Sequence, residues 1–254
     1  MTVLTVARGT ALDSFRDRIL YLPIVFVLFI LVGSLFFGGL SLGNMERLVV
    51  DFGLGGITFF SLLTAVFLGI GWSYQGMARR TAYSLLARPI PRRSVLWGAF
   101  LGLAGIQLIM LLFMALSWRF ILLLAGVAWT GILTTTLALL YVEVLLVTAI
   151  AFLLSSIASP AVAGAGSVVL LIAGYGSRGV HELAAHLPAG GMRWLSEGAY
   201  YMVPCLSNFT PGDLGLSPSG GGGSECALAV AYGLSYTVAL LTLAAVAFSR
   251  RELH

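Results

Sequence analysis

Val95-Leu96-Trp97-Gly98-Ala99-Phe100-Leu101-Gly102-Leu103-Ala104-Gly105-Ile106-Gln107-Leu108-Ile109-Met110-Leu111-Leu112-Phe113-Met114-Ala115-Leu116 is an apolar run without a single charge. A bilayer core takes about 20 such residues as one helix. The run therefore reads as a membrane span. Comparable runs lie on both sides of it. Residues 21–42 and 52–74 precede it, and 120–154, 161–175 and 226–248 follow. The expected architecture is all-α, a polytopic membrane protein with six transmembrane helices in one domain over residues 1–254.

Composition agrees. Hydrophobic residues make up 59% of the chain and charged residues 9%, against roughly 25% charged in a soluble domain. Six spans and their connections nearly exhaust 254 residues. That leaves no room for a nucleotide-binding domain, and no GxxxxGK[ST] phosphate loop occurs. The chain is not expected to be an enzyme, and any ATP-driven work would come from another chain.

The net charge is +4, and all 14 basic residues are Arg. They sit beside the spans, so they read as topology signals rather than as a nucleic-acid surface. With the N-terminus inside, Arg8, Arg16, Arg18, Arg79, Arg80, Arg88, Arg92, Arg93, Arg250 and Arg251 share the inner side. Arg47, Arg119, Arg178 and Arg193 fall outside. An even number of spans returns both termini to the basic side. The N-terminus reads as uncleaved, because Arg8, Asp13, Arg16, Asp17 and Arg18 precede the first apolar run. No lipidation signal is present.

Outside the spans, three segments stand out. Residues 1–20 place Val3, Val6, Ala7, Ala11, Ser14 and Phe15 on one weakly apolar side. That spacing fits an interfacial helix along the membrane or an ordinary solvated helix. Residues 75–94 hold the basic segment that begins at Arg79. Residues 176–225 form a large loop before the last span, expected outside the cytoplasm, with Gly220 to Gly223 as a flexible stretch. Ser117-Trp118-Arg119 is expected to turn the chain between the third and fourth spans. The fourth stretch, 120–154, is longer than a bilayer needs and must tilt, kink or project.

Few residues carry chemistry. Glu143 lies in the fourth stretch. A carboxylate in a span is costly and is a functional candidate by default. It would line a path or relay a proton, unless the overlong stretch carries it to the inner interface. Gln107 and Thr135 would add polarity to a lumen, though Thr also back-bonds within helices. Cys205 and Cys226 are the only cysteines. A disulfide between them is permitted if their side is extracytoplasmic; otherwise they are two unpaired apolar residues. No spacing of His, Cys and carboxylates completes a metal site. No hydrolase motif occurs within the spans.

Residues 79–102, Arg-Arg-Thr-Ala-Tyr-Ser-Leu-Leu-Ala-Arg-Pro-Ile-Pro-Arg-Arg-Ser-Val-Leu-Trp-Gly-Ala-Phe-Leu-Gly, resemble the loop after the second span of type-2 ABC exporter permeases. Arg80, Thr81, Leu85, Leu86, Arg88, Pro89, Arg92 and Gly98 match that pattern. Upstream, 40–47, 51–54 and 14–20 resemble the copper-maturation (nitrous-oxide-reductase-associated) branch and its unassigned relatives. The chain departs from the family at Gly76 and Ala78, where acidic residues are usual, and at Ala99, where many relatives carry Lys.

The resemblance implies a permease subunit of a bacterial or archaeal cytoplasmic membrane, with both termini in the cytoplasm. It implies a second copy, as a homodimer, and two separate ABC ATPase subunits that hold ATP and Mg. The coupling residues would be Arg79, Arg80, Thr81, Leu85, Leu86, Arg88 and Pro89, docked in a groove of the ATPase. No cofactor is implied for the chain itself. Two rivals remain. One is a membrane scaffold or assembly factor that passes ATPase motion to an extracytoplasmic protein. The other is a stand-alone ion-coupled carrier using Glu143.

Overall fold

The computed structural model describes residues 2–15, 21–38, 45–78, 92–185, 204–210 and 223–250. Among these every regular element is helical: α1 (Thr2–Phe15), α2 (Leu22–Gly38), α3 (Met45–Ala78), α4 (Arg92–Leu124), α5 (Gly131–Ile157), α6 (Pro160–Ala185), a 3-10 turn (Leu206–Phe209) and α7 (Gly223–Arg250). Five helices are long and apolar enough to cross a membrane, within α3, α4, α5, α6 and α7. Helix α2 is also apolar and is described over 17 residues. A multi-pass membrane protein follows.

Helix α5 is the centre. It packs on α3, α4, α6, α7 and the 3-10 turn. Its side chains are buried almost all round, from Leu139 through Phe152. Such a helix has no polar face to offer water, which is why its sequence lacks amphipathic spacing. In lipid the association of helices rests on close packing and interhelical hydrogen bonds rather than on escape from water. Gly69 supplies one such close approach. A Cβ there would come within 2.6 Å of the Ala151 Cβ and 3.0 Å of the Thr148 carbonyl.

The chain turns between α4 and α5 later than expected. The Ser117-Trp118-Arg119 hairpin is not formed. Helix α4 runs through it to Leu124, with the Ser117 hydroxyl donating to the Phe113 carbonyl at 2.8 Å and Trp118 fully buried. No residue there favours a left-handed backbone. Gly126 does, at φ +74°. The Val127 N–H donates to the Leu122 carbonyl at 3.0 Å and the Gly126 N–H to Leu123 at 3.2 Å. These are the paired bonds that end a helix on a glycine.

The overlong fourth stretch is thereby resolved. Residues 120–124 belong to α4, and α5 begins only at Gly131. Glu143 therefore lies at mid-helix, about 18 Å from the start of α5.

Other boundaries shift as well. Met45–Asp51, between the expected runs 21–42 and 52–74, opens α3. The basic loop is shorter than 75–94, because α3 continues to Ala78 and α4 begins at Arg92. Residues 176–185, expected as loop, extend α6. The break before α6 falls where expected. The Ala158 N–H closes α5 on the Leu154 carbonyl at 2.8 Å, and Pro160 starts α6, where a missing N–H costs least.

Helix α1 packs chiefly on α4. Val6, Ala7, Thr10 and Ala11 face inward while Leu4, Arg8 and Leu12 are exposed. Gly102 lets the two helices touch, since a Cβ there would come within 2.5 Å of the Ala7 carbonyl.

Candidate functional site

Glu143 is the one charged residue among the buried described side chains, at 4% exposure. It projects from α5 towards α6, where the Tyr175 hydroxyl donates to its Oε1. Among the described residues no basic side chain pairs with it. Tyr175 was expected to close the fifth span, but α6 carries on past it. Both partners therefore sit inside the helical bundle.

Next to this pair lies an insertion that the sequence did not announce. Residues 204–210, expected within the outer loop, lie in the bundle, with Leu206 at 0% and Phe209 at 3% exposure. Helices α6 and α7 flank α5, and this segment fills the space between them. Two glycines make the seat. A Cβ on Gly174 of α6 would come within 2.8 Å of both Leu206 Cγ and the Pro204 carbonyl. A Cβ on Gly233 of α7 would come within 2.5 Å of Val142 Cγ1 and 2.8 Å of Phe209 Cζ. Gly233 is ten residues, about 15 Å, into α7. Val142 and Gly174 adjoin Glu143 and Tyr175 in sequence, so the insertion reaches the level of the carboxylate.

Polar contacts hold the insertion. The Cys205 N–H donates to the Tyr232 hydroxyl at 3.1 Å. The Ser177 hydroxyl lies 3.3 Å from the Cys205 Sγ, and Ser207 Oγ is 3.2 Å from the same sulfur. Cys205 and Cys226 are free thiols and do not form the disulfide that their placement permits. The insertion gives the physical reason: Cys205 is drawn into the bundle by its buried neighbours, while Cys226 lies half-buried near the start of α7.

The other expected polar residues take structural places. Gln107 is buried between α4 and α5, where its Nε2 donates to Thr148 Oγ1 at 2.6 Å; Thr148 passes a bond to the Val144 carbonyl at 2.7 Å. Gln107 Oε1 has no partner. Thr135 back-bonds to the Gly131 carbonyl at 3.2 Å. Neither residue adjoins Glu143. Tyr141 ties α5 to α4 through the Ala104 carbonyl at 3.0 Å. Arg79, Arg80, Thr81, Leu85, Leu86, Arg88 and Pro89 lie outside the described residues. Among the described residues no cluster of His, Cys, Asp and Glu offers a metal site.

Chemically, the centre can hold a proton or face a positive charge. No protein-family model matches the chain, and comparison with curated proteins finds no similar sequence.

Proposed function

We propose that the chain is the permease subunit of an ATP-driven transporter of the type-2 ABC class, acting as a homodimer in a bacterial or archaeal cytoplasmic membrane with both termini in the cytoplasm. ATP and Mg belong to two separate ATPase chains, and hydrolysis occurs there. Residues 79–89 dock on the ATPase and pass its closure to the spans.

One observation carries this reading beyond the likeness of residues 79–102. The basic segment hangs between the two longest helices, α3 of 34 residues and α4 of 33. Each exceeds the ~20 residues that a bilayer requires, and the two pack on each other. A push on the segment is thus delivered to a paired stem that reaches the core around α5. Thr81 and Leu85 offer a small apolar anchor, and the Arg residues supply charge complementarity at its rim.

Co-purification tests the reading. The chain in nanodiscs is presented to the ATPase encoded beside it, as wild type and with Arg79, Arg80, Thr81 and Leu85 replaced together by Ala. The wild type retains the ATPase, and the inserted, folded variant loses it. Equal retention by both, or by neither, refutes the docking role.

The buried insertion at 204–210 favours a second reading. It seats part of the 176–225 stretch against α6 and α7, as an assembly factor would need in order to pass motion to an extracytoplasmic protein. Activity without any ATPase would instead mark a stand-alone carrier.

A further inference from the structure

Helices α5 and α6 form a hairpin whose joint is two residues, Ala158 and Ser159. Glu143 lies about 21 Å before the end of α5, and Tyr175 about 22 Å after the start of α6. The two side chains therefore meet at one level, far from the joint. Near the joint α6 is packed on its neighbours. A Cβ on Gly164 would come within 3.4 Å of Ile70 Cδ1 of α3, and one on Gly166 within 3.3 Å of Leu154 Cδ1 of α5. Beyond that, Val168, Val169, Ile172 and Ala173 are exposed, and the candidate span of α6 is only 22% buried. The helix meets the interior again at one turn, through Gly174, Tyr175 and Ser177.

The 204–210 segment is fixed more firmly than α6. Leu206 and Phe209 belong to the main apolar core. The Cys205 N–H bonds to Tyr232 of α7, and Asn208 has a further interaction besides its contact with the Cys205 sulfur. Ser177 of α6 lies against the same sulfur. If either part moves, it is the far end of α6.

What ties that end to α5 is an acid. Tyr175 can donate to Oε1 whether Glu143 is neutral or charged, so the bond alone does not choose between the two forms. Burial does. A buried charge needs a counter-charge and several hydrogen bonds, and one phenol does not replace them. Among the described residues no basic side chain pairs with Glu143. Of the other ionisable groups on the elements around α5, Asp51 of α3 is exposed, and Arg119 of α4 is exposed and stacks over Trp129. Tyr141 of α5 itself bonds to the Ala104 carbonyl. Tyr232 of α7 takes the Cys205 N–H and lies beside Tyr236, and Cys205 faces Ser177 and Ser207.

We propose that Glu143 and Tyr175 are a proton-operated latch that holds the far end of α6 on the core. The neutral acid fits the dry bundle, so the latch is closed at acidic pH. As the pH rises, the carboxyl gives its proton to water, leaving a carboxylate and a hydronium ion. The charge is then stable only where water reaches it, and α6 swings away about the joint at 158–159. A proton shifts this equilibrium because the docked helix favours the neutral acid and the released helix the charged one. Segment 204–210 stays on α5 and α7, and Cys205 loses its Ser177 neighbour. The latch needs no ATPase and stands apart from the permease reading.

Cys205 reports the release. Cys226→Ser removes the other thiol. In nanodiscs, the rate at which a membrane-impermeant maleimide modifies Cys205 is measured from mildly acidic to mildly alkaline pH. At each pH it is divided by the rate for Glu143→Gln, which is neutral throughout and cancels the titration of the thiol itself. The ratio is expected to be near unity at acidic pH and to rise severalfold with pH. Glu143→Asp keeps a rise. Tyr175→Phe, which retains the acid and loses the bond, is expected to react faster than wild type already at acidic pH, and it carries the test if Glu143→Gln fails to fold.

A ratio that is flat, or that falls with pH, overturns the proposal. So does a Cys205 that stays unreactive at every pH, or a Tyr175→Phe variant indistinguishable from wild type. Because the assay contains no ATPase, its failure removes the latch and leaves ATPase docking to its own test.

Discussion

Gly174 and Gly233 show how much depends on a missing methyl. Each gives up its Cβ so that a buried side chain of the 204–210 insertion can reach helix backbone. Gly174→Ala or Gly233→Ala forces the insertion or the helix to shift. Overpacking of this kind costs about 1–3 kcal/mol. Each variant is expected to lower the thermal midpoint in detergent, and Cys205 should react faster with maleimide in both. An unchanged midpoint and unchanged reactivity would mean that the seat is loose. At this scale the sequence was legible in part. Glu143 stood out as a charge in an apolar stretch. Tyr175 did not, because its role comes from a neighbour 32 residues away in the chain. Gln107 looked like lumen polarity and is a tie to Thr148, a distinction that only the facing helix decides.

Helices were legible by their apolar length and less so by their ends. The break between the runs 120–154 and 161–175 carries Pro160 and is legible in the sequence. The turn after α4 was misplaced, because Ser117-Trp118-Arg119 looked polar while the residue that permits the turn, Gly126, sat unremarked among apolar neighbours. In a bilayer, polarity is a poor guide to a helix end, since Ser and Arg are accommodated at helix surfaces and only backbone geometry ends the helix. Gly126→Ala tests this. A left-handed backbone costs an L-residue roughly 1–2 kcal/mol. The expected outcome is a lower thermal midpoint by that amount, with faster hydrogen exchange across residues 121–133. Ser117→Ala, which removes only a back-bond, is expected to leave both unchanged.

The molecule as a whole is unevenly packed. Within their candidate spans, α3, α4 and α5 are 56–67% buried by the rest of the chain, while α6 and α7 are 22% buried. A tight sector around α5 thus carries two lightly held helices, and the insertion sits between those two. Hydropathy carries only a trace of this segregation, in that α6 and α7 are the two least apolar of the five candidate spans. The span count also belongs to this scale. Helix α2 is described over 17 residues, Leu22–Gly38, and is the one apolar helix not among the five candidate spans. With six crossings, reporters fused at Met1 and at His254 are expected on the same side of the membrane. Reporters on opposite sides would leave α2 lying along the surface and reduce the count to five.

The pairing of Glu143 with Tyr175 also sets a problem of timing during synthesis. Helix α5 leaves the ribosome before α6, so the carboxylate reaches the membrane ahead of the phenol that will bind it. An acidic residue at mid-span costs a few kcal/mol on entry through the insertion machinery. Helix α5 is the most apolar of the five candidate spans, and that surplus lets it partition into lipid unaided while it waits. The buried acid is tolerated in the one helix hydrophobic enough to deliver it.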